Sequence, residues 1–74
     1  MIVKLTFPQN LIKEPIIYKM GERFDIIYSI YQGVITEKAL TGWVVLDLVG
    51  DHDIINEALE WVKELGVVVD EQHV

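Results

Sequence analysis

Gly42-Trp43-Val44-Val45-Leu46-Asp47-Leu48-Val49-Gly50 is an apolar run closed at each end by glycine and interrupted by a single acid. A central strand of a sheet reads this way, because its neighbours satisfy the main chain and its side chains meet little water. Side chains alternate across a strand, so Val44, Leu46 and Leu48 share one face. Trp43, Val45, Asp47 and Val49 share the other. The first set is a plain core face. The second is mostly apolar but carries a carboxylate, an unusual mixture for a surface meant only for water.

Upstream, Ile2–Phe7 alternates, with Val3, Leu5 and Phe7 on one side, and reads as a strand with one buried face. Pro8-Gln9-Asn10 is turn chemistry. Leu11–Phe24 places Ile12, Ile16, Ile17, Met20 and Phe24 at helical spacing, with Pro15 expected in the first turn, where its missing N–H costs nothing. Asp25–Ile35 is rich in Ile and Tyr and reads as a second strand. Ile26, Tyr28 and Ile30 are expected inward, and Ile27, Ser29 and Tyr31 outward, with a bulge at Gly33. Thr36-Glu37-Lys38 is expected to connect it to a strand opening at Leu40.

Downstream, Asp51 is a good N-cap. Ile54, Ile55, Ala58, Leu59, Trp61, Val62 and Leu65 make an apolar stripe over a wet face of Asn56, Glu57, Glu60, Lys63 and Glu64. Gly66 stops that helix. Val67-Val68-Val69 opens a short last strand, with Val67 and Val69 inward.

The order β-α-β-β-α-β predicts an α+β, ferredoxin-like sandwich occupying residues 1–74 as one domain. Right-handed crossovers put both helices on one face of a four-stranded antiparallel sheet. The other face is then open and carries Ile2, Lys4, Ile27, Ser29, Tyr31, Trp43, Val45, Asp47, Val49 and Val68. An apolar surface of that extent marks an interaction site, and a second copy is the commonest occupant. Ile27, Trp43, Val45 and Val49 are the expected interface residues. Lys4 and Asp47 are expected to neutralise each other on the neighbouring central strands.

The chain has 74 residues, no cysteine and a net charge of −6. So short a chain buries only about 60% of its unfolded surface, which favours stabilisation by self-association. Without cysteine there is no disulfide, iron–sulfur cluster or thiolate zinc site. The acidity argues against nucleic acid and against anionic membrane, and no apolar run has transmembrane length. A soluble, cytoplasmic protein is expected. His52 and His73 have no third ligand at suitable spacing, so no metal or other cofactor is expected. Acylphosphatases share this fold and size, but they need an arginine in the loop after the first strand. That loop is Pro8-Gln9-Asn10, and the sole arginine is Arg23. With no nucleophile–base pair either, the expectation is a protein that is not an enzyme.

Leu5-Thr-Phe-Pro8 followed by Leu11-Ile-Lys-Glu-Pro-Ile-Ile17, then Gly42–Gly50, then Ala58-Leu-Glu-Trp-Val-Lys-Glu-Leu-Gly-Val-Val-Val69 together resemble the NIL domain. This is the small regulatory module at the C-terminus of methionine-importer ATPases, also found alone or linked to ferredoxin-type domains. The resemblance covers essentially the whole chain. It implies a ferredoxin-like fold related in style to amino-acid-sensing ACT domains. It also implies paired domains that bind methionine where they meet, and an association with transport or sulfur assimilation. The family's Asn-Ile-Leu run in strand two corresponds to Ser29-Ile30-Tyr31 here, and a serine hydroxyl reaches less far than an amide and makes fewer bonds. Ser29, Tyr31 and Trp43 are the expected ligand contacts, Trp43 by stacking on a thioether or amino-acid backbone. The expected function is a regulatory module sensing methionine or a related sulfur amino acid at a homodimer interface. The alternative is an interaction subunit of a sulfur-assimilation enzyme or transporter, with no small ligand of its own.

Overall fold

The computed structural model describes residues 1–12, 14–34 and 41–72. The chain runs β1 (Ile2–Pro8), a single 3-10 turn (Gln9–Leu11), α1 (Ile16–Arg23), β2 (Ile26–Val34), β3 (Thr41–Gly50), α2 (His52–Glu64) and β4 (Val68–Gln72). The strands form one antiparallel sheet in the order β2-β3-β1-β4, the ferredoxin-like arrangement. Gly42–Gly50 thus lies between two strands, as its composition requires. The expected hairpin Thr36-Glu37-Lys38, Leu40 and the tail residue His73 lie outside the described residues.

Both helices roof the same side. Val3, Leu5, Phe7, Val44, Leu46 and Leu48 are all at most 3% exposed and share one core with Ile16 and Met20 of α1 and Ile55, Ala58, Leu59 and Val62 of α2. The alternation of β1 and β3 therefore sorts the side chains as read from sequence. Burying one such aliphatic side chain contributes about 1.5–3 kcal/mol, and these two strands supply most of the sheet's share.

The first helix is shorter than its periodicity suggests. It begins at Ile16, not Leu11, and Pro15 stands at the N-cap position rather than inside the first turn. Proline disfavours helical backbone in the residue before it, so Glu14 cannot continue a helix from Leu11. Leu11 and Ile12 still pack against the core, but from the 3-10 turn and its exit. α2 is capped as expected. Asp51 accepts from Asp53 N–H at 2.9 Å. Gly66, at φ +106°, closes the other end. There Gly66 N–H donates to Lys63 C=O at 3.0 Å and Val67 N–H to Val62 C=O at 3.1 Å, the paired bonds of a Schellman ending. Leu65, expected in the buried stripe, is the C-cap residue and stays exposed.

In β2 the bulge lies at Tyr31, between the pairs Ile30↔Leu46 and Gln32↔Val45, not at Gly33. Gly33 is needed for a different reason. A Cβ there would stand 2.9 Å from the Trp43 carbonyl oxygen, so only glycine lets the two strands approach. Ile26 is buried and Tyr28 half-buried, as expected. Ile30 faces the helix side, opposite fully buried Leu46, yet is 60% exposed because neither helix reaches it.

Candidate functional site

All ten residues expected on the open face are there. The pairings that place them are Ile2↔Asp47, Lys4↔Val45 and Thr6↔Trp43 between β1 and β3, and Ile27↔Val49 and Ser29↔Asp47 between β2 and β3. Paired residues of an antiparallel ladder point to the same face, so register alone aligns these side chains. Ile27, Tyr31, Val49 and Val68 are more than half exposed, while Ile2, Lys4, Trp43, Val45 and Asp47 are partly covered by their neighbours.

The expected ligand contacts fall into two groups. Ser29 lies directly opposite Asp47, and the Tyr31 hydroxyl stands 3.5 Å from Asp47 Oδ2, a long contact that leaves both groups capacity for another partner. Alternation from Ile27 and Ser29 already puts Tyr31 on this face, and the bulge at Tyr31 changes the facing only of the residues that follow. The Met1 main-chain nitrogen donates to Leu48 C=O at 2.9 Å and passes 3.5 Å from Asp47 Oδ1. Trp43 is at the other end of the face, four residues along β3 or about 13 Å away. Within one chain, Trp43 does not share a site with Ser29 and Tyr31.

Lys4 does not pair with Asp47. Register places it beside Val45, and its Nζ stands 5.0 Å from the centre of the Trp43 ring. Such a contact is worth about 0.5–1 kcal/mol at an exposed site, and on its other side Lys4 stands opposite Asp70 of β4. Val34 is a further member of this end, opposite Trp43. Simple alternation from Ile27 would have sent it to the helix side, and the bulge reverses that parity. The open face thus has an anionic, hydroxyl-bearing end (Asp47, Ser29, Tyr31) and an aromatic end (Trp43), with Val45 and Lys4 in the row between them and Asp70 of β4 opposite Lys4.

The helix side carries an apolar cleft of about 130 Å³ between the Leu11–Pro15 segment and Tyr18. Among the described residues, its lining is apolar apart from Glu14 and the Tyr18 hydroxyl. His52, the first residue of α2, stands with its Nδ1 3.4 Å from Asn56 Nδ2. No helix of the described residues is long and apolar enough to cross a membrane.

Comparison with known proteins agrees with the fold. The family model described as NIL domain matches residues 1–71. The methionine import ATP-binding protein MetN 2 of Acinetobacter baylyi is 32% identical over 72 residues, which is 95% of this chain and 21% of that protein. The chain therefore spans about a fifth of that relative's length. The crystal structure of the C-terminal domain of an ABC transporter / ATP-binding protein from Enterococcus faecalis matches with a TM-score of 0.82 at 30% identity, covering 93% of this chain and 79% of that one.

Proposed function

This chain belongs to the NIL domain family, and on that premise we propose that it is a non-catalytic regulatory module which pairs with a second copy across its open sheet face and holds methionine, or a related sulfur amino acid, where the copies meet. One observation carries the reading: a broad apolar sheet face, not covered by either helix, carries Asp47 and two hydroxyls at one end, Trp43 at the other and the Lys4 ammonium reaching toward the Trp43 ring. The geometry suggests how two copies fit. Val45, opposite Lys4, lies midway between Trp43 and Asp47. A two-fold axis passing there and running across the strands sets each Trp43 over the partner's Asp47.

Facing sheets pack about 10 Å apart. Each end of the interface then combines Trp43 from one copy with Asp47, Ser29 and Tyr31 from the other, while Lys4, in the axial row beside Val45, leans toward the Trp43 ring of its own chain. Lys4 supplies a cation for the ligand's carboxylate. Asp47 and the two hydroxyls accept from its ammonium group. The Trp43 ring offers the soft, polarisable surface that a thioether favours. Val45, Val49 and Ile27 supply the apolar contact that holds the copies together.

The test is a melting curve with added methionine. A ligand selective for the folded, paired state, at ten times its Kd, stabilises by about 1.4 kcal/mol. For a domain of this size that raises Tm by about 5–10 °C. No rise with millimolar methionine, cysteine or homocysteine refutes the ligand half of the proposal.

Ser29 supports a second reading. Where the family carries an amide, the hydroxyl makes fewer bonds to an amino acid. On that reading the open face docks onto a transporter or a sulfur-assimilation enzyme with no small ligand. A defined partner that co-purifies, with no response to amino acids, selects it.

A further inference from the structure

We propose that β2 is a second, separate self-association element, whose free edge pairs antiparallel with the β2 edge of another copy and extends the four-stranded sheet to eight strands. The contact is independent of the open-face pairing proposed above and lies at right angles to it.

Strands β2 and β4 are the two edges of the sheet. They differ in chemistry. β4 carries Asp70 and Glu71 in five residues, the kind of charge that blunts an edge. β2 is nine residues, Ile-Ile-Tyr-Ser-Ile-Tyr-Gln-Gly-Val, with no charge and no proline. Apart from Ile26 N–H, which donates to Phe24 C=O at 2.9 Å, no main-chain group of β2 has a hydrogen-bond partner outside the β2–β3 ladder among the described residues. A strand of this kind is a template for another strand.

Ile30 decides which occupant fits. It faces the helix side, is 60% exposed, and stands on the opposite side of the sheet from Trp43 and Val45. A copy packed on the open face cannot cover it. A strand added at the β2 edge does, because its own helix-side residues then lie next to Ile30. β2 also exposes Ile27, Tyr31 and Val34 on the other face, so it is wet on both sides, unlike β3. An open groove of about 430 Å³ follows this edge beneath α1, lined by Tyr18, Gly21, Glu22, Ile26, Ile27 and Tyr28. The added strand's side chains enter there.

The occupant is a second copy because the edge is self-complementary. Antiparallel pairing about a two-fold axis sets each residue beside the one equally far beyond the axis in the other copy, and because β2 holds no charge, no pair along it repels, even in a protein at −6. With both contacts formed and the two perpendicular two-folds meeting at one point, the assembly closes as a tetramer.

Ile30→Lys tests this in the full chain. The residue is exposed, so the fold tolerates it, and it takes no part in the open face. Sedimentation equilibrium of the unaltered chain is expected to give four copies, and Ile30→Lys should halve that mass. Trp43→Asp should also halve it, through the other contact, and the double variant should be monomeric. If the chain is a dimer that Ile30→Lys splits while Trp43→Asp does not, the edge contact stands and the open-face pairing fails. An unchanged mass for Ile30→Lys overturns the edge contact. Amide hydrogen exchange reads the same question directly. Protection along Ile27–Val34 that is lost in Ile30→Lys supports the pairing, and β2 amides exchanging as fast as those of β4 at all concentrations overturn it.

Discussion

Trp43→Asp is expected to weaken pairing across the open face by several orders of magnitude while leaving the fold standing. A tryptophan buries about 150–250 Å² when fully covered, and Trp43 is only partly covered by its own chain. About 100 Å² therefore remains for a partner, worth about 2.5 kcal/mol at 25 cal/mol per Å². An interface about a two-fold axis contains the residue twice, so removing both copies forfeits about 5 kcal/mol, or roughly three to four orders of magnitude in Kd. The aspartate adds to that loss by placing a charge near the partner's Asp47. The folded single chain loses much less. Its core contains no part of Trp43. The Lys4 contact over the ring, worth about 0.5–1 kcal/mol, is replaced in part by a charge pair. Sedimentation equilibrium over a wide concentration range, with circular dichroism on the same samples, separates the two effects. A variant whose association constant stays within tenfold of the parent's refutes the open-face interface.

Further outcomes follow from the same structure. Ser29→Asn should tighten methionine binding about three- to tenfold, since one added hydrogen bond is worth about 0.5–1.5 kcal/mol. Isothermal titration that finds no gain removes Ser29 from the site. Asp51→Ala should destabilise the protein by about 1 kcal/mol and lower Tm by about 4–8 °C, because it strips the acceptor from Asp53 N–H at the start of α2. Methionine affinity should be unchanged, since Asp51 is off the open face, and calorimetry on the variant checks both.

The architecture was legible where two signals agreed. Gly42–Gly50 has the alternation, the closing glycines and the length of a buried strand, and it folds as one. α2 has a stripe, an N-cap aspartate and a C′ glycine, and every one of these features is used. α1 was misjudged because its apolar spacing runs unbroken through Pro15, and the backbone constraint of proline overrides spacing. The open face was legible because alternation sorts β1 and β3 without knowledge of register.

The internal organisation of that face was not legible. Whether Lys4 meets Asp47 or Trp43 depends on how β1 slides against β3, and nothing local in either strand fixes that offset. Val34 was hidden for a related reason. A bulge costs little and leaves no distinctive residue at Tyr31, yet it reverses the facing of every position after it. The glycine that suggested a bulge, Gly33, serves close strand contact instead.

The central claim is that the uncovered sheet face, and not the helix side, receives the ligand and the second copy. Amide and indole chemical-shift mapping during a methionine titration tests it most directly. The account predicts shifts concentrated at Lys4, Ser29, Tyr31, Asp47 and the Trp43 indole, saturating at one methionine per chain. Shifts confined to the cleft between Leu11–Pro15 and Tyr18, with the Trp43 indole unmoved, would contradict it.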